Sequence, residues 1–254
     1  MEDQLKQTFH LKEVFVSPNL VDDEEINLRD TCRALAGNLD KYIIDNTVVA
    51  VSWGNTLNCL AGQIQPLKAK DIKVVQLNGG VAKSASSTGA SQIVDALTMA
   101  GHGIGYMFPV PAIVDSKHTS EILQEETQVK NVLRLAKEAE VSIFSIGALS
   151  KDSILYEVEY LKDEDFQALE KNKAVGDIAS RYFDINGNIA LKELDDRVVG
   201  FGLEELREKE WTIAIAVGVN KVDAIIGALR AGFMNVLYTD EKTAREILNR
   251  NLLG

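Results

Sequence analysis

Three short stretches of this 254-residue chain combine small residues, hydroxyls and a charge in ways that could hold an anion or a polyhydroxylated molecule. Ser52-Trp53-Gly54-Asn55-Thr56 follows the apolar run Thr47-Val-Val-Ala-Val51 and precedes a helical pattern. Freed amides at a helix start, with a threonine hydroxyl beside them, make an anion cradle. The same residues also suit an ordinary N-cap, with Asn55 or Thr56 satisfying those amides. The stretch is not a P-loop, because the consensus lysine is missing and the loop is too short. Asn78-Gly79-Gly80-Val81-Ala82-Lys83 runs into Ser84, Ser86, Ser87 and Thr88. Paired glycines permit close backbone approach. The hydroxyls could donate to a polyhydroxylated ligand, or the loop is a solvated connector. Lys83 has the chemistry of a Schiff-base amine, but a lone loop lysine is ordinarily solvated. Gly218-Val219-Asn220-Lys221 is the third stretch. A cation at a helix start opposes the macrodipole, a cost explained more easily if Lys221 meets an anion there. A plain surface lysine is the alternative. Asp177, after Val175-Gly176, could accept from sugar hydroxyls or cap the turn that follows; Asp115 is a weaker case of the same kind.

Other chemistries find little purchase. His10, His102 and His118 lie far apart, with no cysteine or carboxylate at a familiar metal spacing, so neither a metal site nor a metal cofactor is expected. No Gly-x-Ser-x-Gly element argues for nucleophilic catalysis. Gly101-His102-Gly103-Ile104-Gly105 has dinucleotide-like spacing but ends a helix and enters a strand, the reverse of the required order, and so reads as a turn. Cys32 and Cys59 sit in helical patterns and read as buried thiols of a reducing cytoplasm.

The elements that must position these stretches alternate between strand and helix. Residues 23–44 carry Ile26, Cys32, Leu35, Ala36, Leu39 and Ile43 on one helical face. Strands are expected at 47–51, 72–77, 141–146, 197–203, 211–217 and 236–238, with a further extended stretch at 106–114. Helices are expected at 55–64, 91–99, 163–171, 221–231 and 241–252, with one or two more across 121–139. Such alternation predicts an α/β fold: an open, mostly parallel, Rossmann-like sheet with helices on both faces. Residues 151–196 break the rhythm and read as an irregular insertion packed over the sheet's edge. Ligands of such sheets sit beyond the carboxyl ends of the strands, where all three loops fall.

Composition narrows the class. The chain is 46% hydrophobic and 26% charged, with a formal charge of −11, which repels a nucleic-acid backbone. No apolar run approaches the roughly 18–20 residues of a membrane span, and the amino end lacks the pattern of a secretion signal.

With these strand ends in view, the chain resembles the effector-binding domain of the SorC family of bacterial sugar-responsive transcription regulators. The resemblance runs over nearly the whole length. It rests on Phe9-His-Leu-Lys-Glu-Val, Ser52-Trp-Gly-Asn-Thr56, Val74-Val-Gln-Leu-Asn-Gly-Gly80, Pro109-Val-Pro-Ala-Ile-Val-Asp115, Ile146-Gly-Ala-Leu, Asp152-Ser153, Ala174-Val-Gly-Asp177, Phe183-Asp, Leu194-Asp-Asp-Arg-Val198, Lys221 and Asn235-Val-Leu-Tyr-Thr-Asp240, in that order. It implies a fold similar to glucosamine-6-phosphate deaminases and ribose-5-phosphate isomerases without their catalysis. It also implies a phosphorylated sugar effector, dimers or tetramers, and a cytoplasmic protein away from membranes. By match, Gly54, Asn55 and Thr56 would bind phosphate, Asp177 would accept sugar hydroxyls, and Lys221 would partner phosphate. Asn78, Gly79 and Gly80 would line the site, and Ser91 would contact the sugar. Asn78 stands where family members often carry a cation, which argues against a bisphosphate. The alternative on the same fold is a sugar-phosphate isomerase or deaminase. The family's amino-terminal helix-turn-helix is not in this sequence. Residues 1–20 are expected to be a linker remnant and first strand, and 21–254 the effector-binding domain, with operator DNA reached only through the missing part.

Overall fold

The computed structural model describes residues 1–80, 90–157 and 159–253. From the amino end the elements are α1 (Glu2–Phe9), β1 (Glu13–Ser17), α2 (Glu24–Tyr42), β2 (Val48–Val51), α3 (Asn55–Ala61), β3 (Lys73–Gln76), α4 (Ala90–Ala100), β4 (Ile104–Tyr106), α5 (Lys117–Glu125), α6 (Thr127–Glu138) and β5 (Val141–Ser145). A run of short elements follows: β6 (Gly147–Ala148), α7 (Ile154–Glu157), α8 (Asp163–Lys171), β7 (Ala174–Ile178), β8 (Arg181–Asp184) and α9 (Lys192–Asp195). The alternation then resumes with β9 (Trp211–Ile215), α10 (Val222–Arg230), β10 (Val236–Asp240) and α11 (Glu241–Leu253).

Seven strands make one parallel sheet in the order β1-β10-β9-β5-β2-β3-β4. Successive side chains leave a strand on opposite faces, and here helices cover both faces, so the middle of the sheet is mostly apolar, with polar residues gathered mainly at strand ends. Ala50, Val75, Phe144, Ala214 and Leu237 pack with α6, α10 and α11 on one side. Val49, Val51, Val74, Ile143, Ile213 and Ile215 pack with α2, α3 and α4 on the other. The long helix α2 starts where Asp23 accepts a hydrogen bond from the Ile26 amide (3.0 Å), with Glu24 and Glu25 in its first turn. That is a capped and dipole-matched start.

Three segments differ from the expectation, while the one or two helices expected across 121–139 are two, because Glu126 is extended between α5 and α6. Residues 2–9, read only as linker, form α1, whose Leu5 is fully buried. Residues 197–203 form no strand; Val198 and Gly200 only make isolated bridges to Ile113 and Asn78. Their apolar run is buried because the segment crosses between two bodies, and burial alone cannot tell a crossing from a strand. The irregular middle builds its own antiparallel sheet, β6-β7-β8, and its own core around Leu155, Phe166, Leu169, Tyr182 and Leu194. It lies against α10 and continues directly from the carboxyl end of β5, so it covers strand ends rather than the sheet's edge.

The glycine pair beneath this lobe explains the close fit. A Cβ on Gly176 would lie 2.1 Å from the Gly147 carbonyl oxygen and 2.5 Å from Ala224 Cβ on α10. By contrast, Gly37 is exposed in mid-helix with nothing within 4 Å of its missing Cβ. Gly176→Ala is therefore expected to destabilise the domain by about 1–3 kcal/mol through overpacking. Gly37→Ala is expected to stabilise it by about 0.5–1 kcal/mol through helix propensity. Urea unfolding of both variants checks the pair; equal effects would contradict the packing argument.

Candidate functional site

The chain leaves β2 toward β3 on one side, yet leaves β5 toward β9 on the other. The crevice between the carboxyl ends of β2 and β5 is the switch point at which open parallel sheets receive ligands. A cavity of about 290 Å³ opens there. It is bounded by the β2–α3 loop, the end of β5, the Ser150–Leu155 loop, the β7–β8 turn and the 220–221 segment.

Six of the expected residues meet in its wall: Gly54, Asn55, Thr56, Asn78, Asp177 and Lys221. Gly54 has φ 131° and is itself the N-cap of α3, with no side-chain capping bond. Neither Asn55 nor Thr56 acts as the cap, so the first-turn amides face the cavity without a side-chain partner. The Thr56 side chain makes no hydrogen bond among the described residues. Asn78 is 1% exposed; its Nδ2 donates to Ser180 Oγ (3.0 Å), while its Oδ1 is buried with no partner. Asp177 does cap its turn, Oδ2 accepting from the Ser180 amide (3.0 Å), and lines the cavity as well.

Lys221 is not the exposed surface lysine that the sequence leaves open. It follows Gly218 in a 3-10 turn and is largely withdrawn from solvent; its backbone N–H donates to Gly218 O (3.1 Å), while its ammonium makes no hydrogen bond or ion pair among the described residues. Burial pulls its ammonium below the usual lysine range, while the charges of Glu24 and Asp177 draw it back up. Burial pushes the Asp177 carboxyl up to about 6, against the opposing pull of the Ser180 amide and of Lys221. Two charges thus share a poorly hydrated space without contact, an arrangement that is costly when empty.

The remaining expected residues sit elsewhere. Gly79 and Gly80 line no part of this cavity. They splice the β3 end onto neighbouring loops: Gly79 N–H donates to Val199 O (3.0 Å) and Gly80 N–H to Val110 O (2.9 Å). A Cβ on Gly79 would fall 2.4 Å from the Pro111 carbonyl oxygen, so the glycine serves backbone packing. Ser91 is exposed on the first turn of α4 and is not part of the lining. Lys83 and the hydroxyls at 84–88 lie outside the described residues. Gly101-His102-Gly103 is a turn, as expected, pressed against Ile72.

Several lining residues escaped the sequence reading. Ser145 and Gly147 end β5 and open β6, and Ser150, Asp152 and Ser153 follow them. Reading the residues after the 141–146 strand, as was done for three other strands, would have found them. Trp53 ties two loops together, its indole N–H donating to Gly79 O at 2.8 Å. Beneath α3, Cys32 Sγ donates to the Thr56 carbonyl (3.7 Å). A hydrogen bond with Cys32 draws the half-buried Cys59 thiol down to about 7.

Comparison with known proteins bears on the fold and the family. A family model described as "Putative sugar-binding domain" matches residues 1–249. The deoxyribonucleoside regulator of Bacillus subtilis is 32% identical over 245 residues, covering 96% of this chain and 78% of that protein. A DeoR family transcriptional regulator from Listeria monocytogenes superposes with a TM-score of 0.89 at 28% identity, over 97% of both chains. The full-length sorbitol operon regulator SorC from Klebsiella pneumoniae shares the fold, with a TM-score of 0.89 at 24% identity over 97% of this chain and 80% of that one.

The raised Asp177 pKa has a measurable consequence. An unfolded aspartate titrates near 3.9, and the folded group titrates at about 6. The folded state therefore binds this proton more tightly. The ionised group is a cost above about pH 6, which protonation relieves as pH falls toward 4. Asp177→Asn is expected to raise apo stability by about 1–3 kcal/mol at pH 8 and by little at pH 4. Urea melts across that range check it; a gap independent of pH would show that Asp177 is not held against its ionisation.

Proposed function

The chain belongs to the sugar-binding domain family of SorC- and DeoR-type transcriptional regulators, and on that footing we propose that its cavity binds a phosphorylated sugar whose occupancy controls DNA binding. The observation that carries this reading is the half-buried Lys221, its ammonium unpaired among the described residues, beside the uncapped first turn of α3. The helix amides and the ammonium both want an anion, and one phosphate can meet both. The hydroxyl-rich remainder of the wall, with Asp177 and Asn78, suits the sugar. We take the domain as a binding module rather than an isomerase or deaminase, since the relatives above are named as regulators.

In this reading residues 1–20 carry the connection and first strand, and residues 21–254 sense the effector. A helix-turn-helix elsewhere in the regulator meets operator DNA in the cytoplasm. The match spans 78% of the Bacillus subtilis relative, which leaves room there for such a part. Assembly into dimers or tetramers belongs to the same proposal. Exposed Met99, Ile104 and Met107 around the edge strand β4 are apolar surface that a second copy could cover. The name of the Bacillus subtilis relative makes phosphorylated deoxypentoses the first probes.

Calorimetric titration with 2-deoxyribose 5-phosphate, ribose 5-phosphate, glucose 6-phosphate and their unphosphorylated parents tests the proposal. A phosphorylated member is expected to bind and its parent far more weakly. Equal binding of the free sugars would overturn the anion reading. Lys221→Ala is expected to weaken the bound sugar phosphate by roughly 10- to 150-fold, the loss of one charge-assisted hydrogen bond. Apo stability should stay level or rise, because the variant removes a half-buried, unpaired charge. Thr56→Val should weaken binding in the same direction. A large loss of apo stability in Lys221→Ala would instead make the lysine structural.

A further inference from the structure

The turn joining β7 to β8 holds two residues in a backbone region that side chains avoid. Ile178 pairs with Arg181, so Ala179 and Ser180 are the two central residues of a hairpin, with φ of 50° and 70°. Positive φ at both positions is the pattern of a type I′ turn, which normally selects asparagine and glycine. For alanine and serine the conformation costs on the order of 1 kcal/mol per residue and persists only when the surroundings hold it. Both residues line the cavity.

What holds the turn is the next residue. Arg181 is 9% exposed and makes four hydrogen bonds. Its Nε donates to Phe201 O (2.7 Å), and its Nη2 donates to Gly200 O (3.1 Å). Its Nη1 donates to Asp195 O (3.1 Å) and to Asp195 Oδ1 (2.6 Å). The guanidinium thereby clamps the hairpin to the 195–201 segment. That segment in turn grips Asn78. Gly200 bridges Asn78, with Phe201 N–H donating to Leu77 O (2.9 Å) and Gly79 N–H to Val199 O (3.0 Å). A Cβ on Gly200 would sit 2.8 Å from Asn78 Cα, so the two backbones touch. From the other side Ser180 Oγ takes the Asn78 Nδ2 proton at 3.0 Å.

We propose that Arg181 is a positioning residue of the cavity. Through Gly200 and Ser180 it fixes the Asn78 side chain, whose Oδ1 lies buried and without a partner just behind the cavity wall, so that it takes a hydrogen bond from a donor of the ligand, a sugar hydroxyl rather than a phosphate oxygen, once the ligand reaches it. The proposal rests on the sugar-phosphate reading for its ligand but not for its geometry. Arg181 touches no ligand itself; the donor requirement sits at Asn78. An acceptor with no partner inside a protein is expensive and invites a donor. It also sets the ligand's orientation, since phosphate oxygens accept and would be repelled there.

Four variants of the 254-residue chain test this: Arg181→Lys, Ser180→Ala, Asn78→Ala, and Arg181→Lys combined with Asn78→Ala. Arg181→Lys keeps a cation for Asp195 but loses the fork to Gly200 and Phe201. Calorimetry uses 2-deoxyribose 5-phosphate and inorganic phosphate as probes. Arg181→Lys and Ser180→Ala are each expected to weaken the sugar phosphate about tenfold, the size of one hydrogen bond, and to leave inorganic phosphate unchanged. In the Asn78→Ala background Arg181→Lys should add no further loss, as for residues acting through one contact. Equal losses for both probes, or additive losses, would overturn the proposal. If Arg181→Lys does not fold, Ser180→Ala still decides it, since tight binding there would show that Asn78 needs no anchor. Nuclear magnetic resonance of the ligand-free protein separates the two readings. In Arg181→Lys, or in Ser180→Ala should the first not fold, the Asn78 side-chain amide is expected to shift. An unmoved resonance overturns the positioning role. If the wild type binds neither probe, the sugar-phosphate reading and the ligand contact of Asn78 fall together, and the resonance alone still judges the role of Arg181.

Discussion

Strands β2 and β5 lie side by side and pass the chain on in opposite directions, and most of what is distinctive about this domain follows from that divergence. A parallel sheet must bury both faces, which uses the helices as covers and leaves no helix over the strand ends. Where two neighbouring connections part, a crevice opens that no crossover fills. Ser52 to Thr56 enter it from one side and Ser145 to Gly147 from the other. The short lobe built from β6, β7 and β8 then closes the crevice from above, held down by the contact of Gly176 with Gly147 and Ala224. The site is thus a product of topology first and of side-chain choice second.

The side chains placed there run against the usual economy of a folded domain. Lys221 carries a poorly hydrated ammonium with no partner, Asp177 a carboxyl pushed toward neutrality, and Asn78 a buried acceptor with nothing to accept. Ala179 and Ser180 add backbone strain. Each is the kind of local departure that packing elsewhere must offset, and the fully buried faces of the sheet supply that surplus. Residues that support the cavity from behind look different. Arg181 satisfies four acceptors, and Gly79 exists only to let two backbones meet.

Much of this was legible from residue order. Apolar runs such as Val48–Val51 announce buried strands because parallel strands have no solvent face, and the loops after three of them supplied Thr56, Asn78 and Lys221. Two kinds of information were not legible. The bridge of Gly200 to Asn78 joins positions far apart in the chain, and a buried crossing carries the same apolar signature as a strand. Burial was the other. A lysine after Gly-Val-Asn reads either as an anion partner or as a surface lysine until its withdrawal from solvent is seen. Gly79, Gly80 and Ser91 show the converse, since small and polar residues at a strand end or helix start also serve plain chain geometry.

The lobe over the cavity has a core of its own, and this bears on how such a scaffold can diversify. Leu155, Phe166, Leu169, Tyr182 and Leu194 pack among themselves, apart from the two clusters that sandwich the large sheet. Substitutions in the Ser150–Leu155 segment therefore act first on this smaller core, which meets the rest of the domain through Trp53 on one side and through Ile178 and Phe183 on the other, while the β2 end, α3 and Lys221 belong to the large sheet and its loops. The proposed anion-binding residues and the lobe residues of the cavity thus sit largely on different parts of the fold, joined by the charges of Lys221 and Asp177 and by the Asn78–Ser180 hydrogen bond. Changes confined to the segment between β5 and β9 can therefore redraw much of the cavity wall while the seven-stranded sheet keeps its own packing.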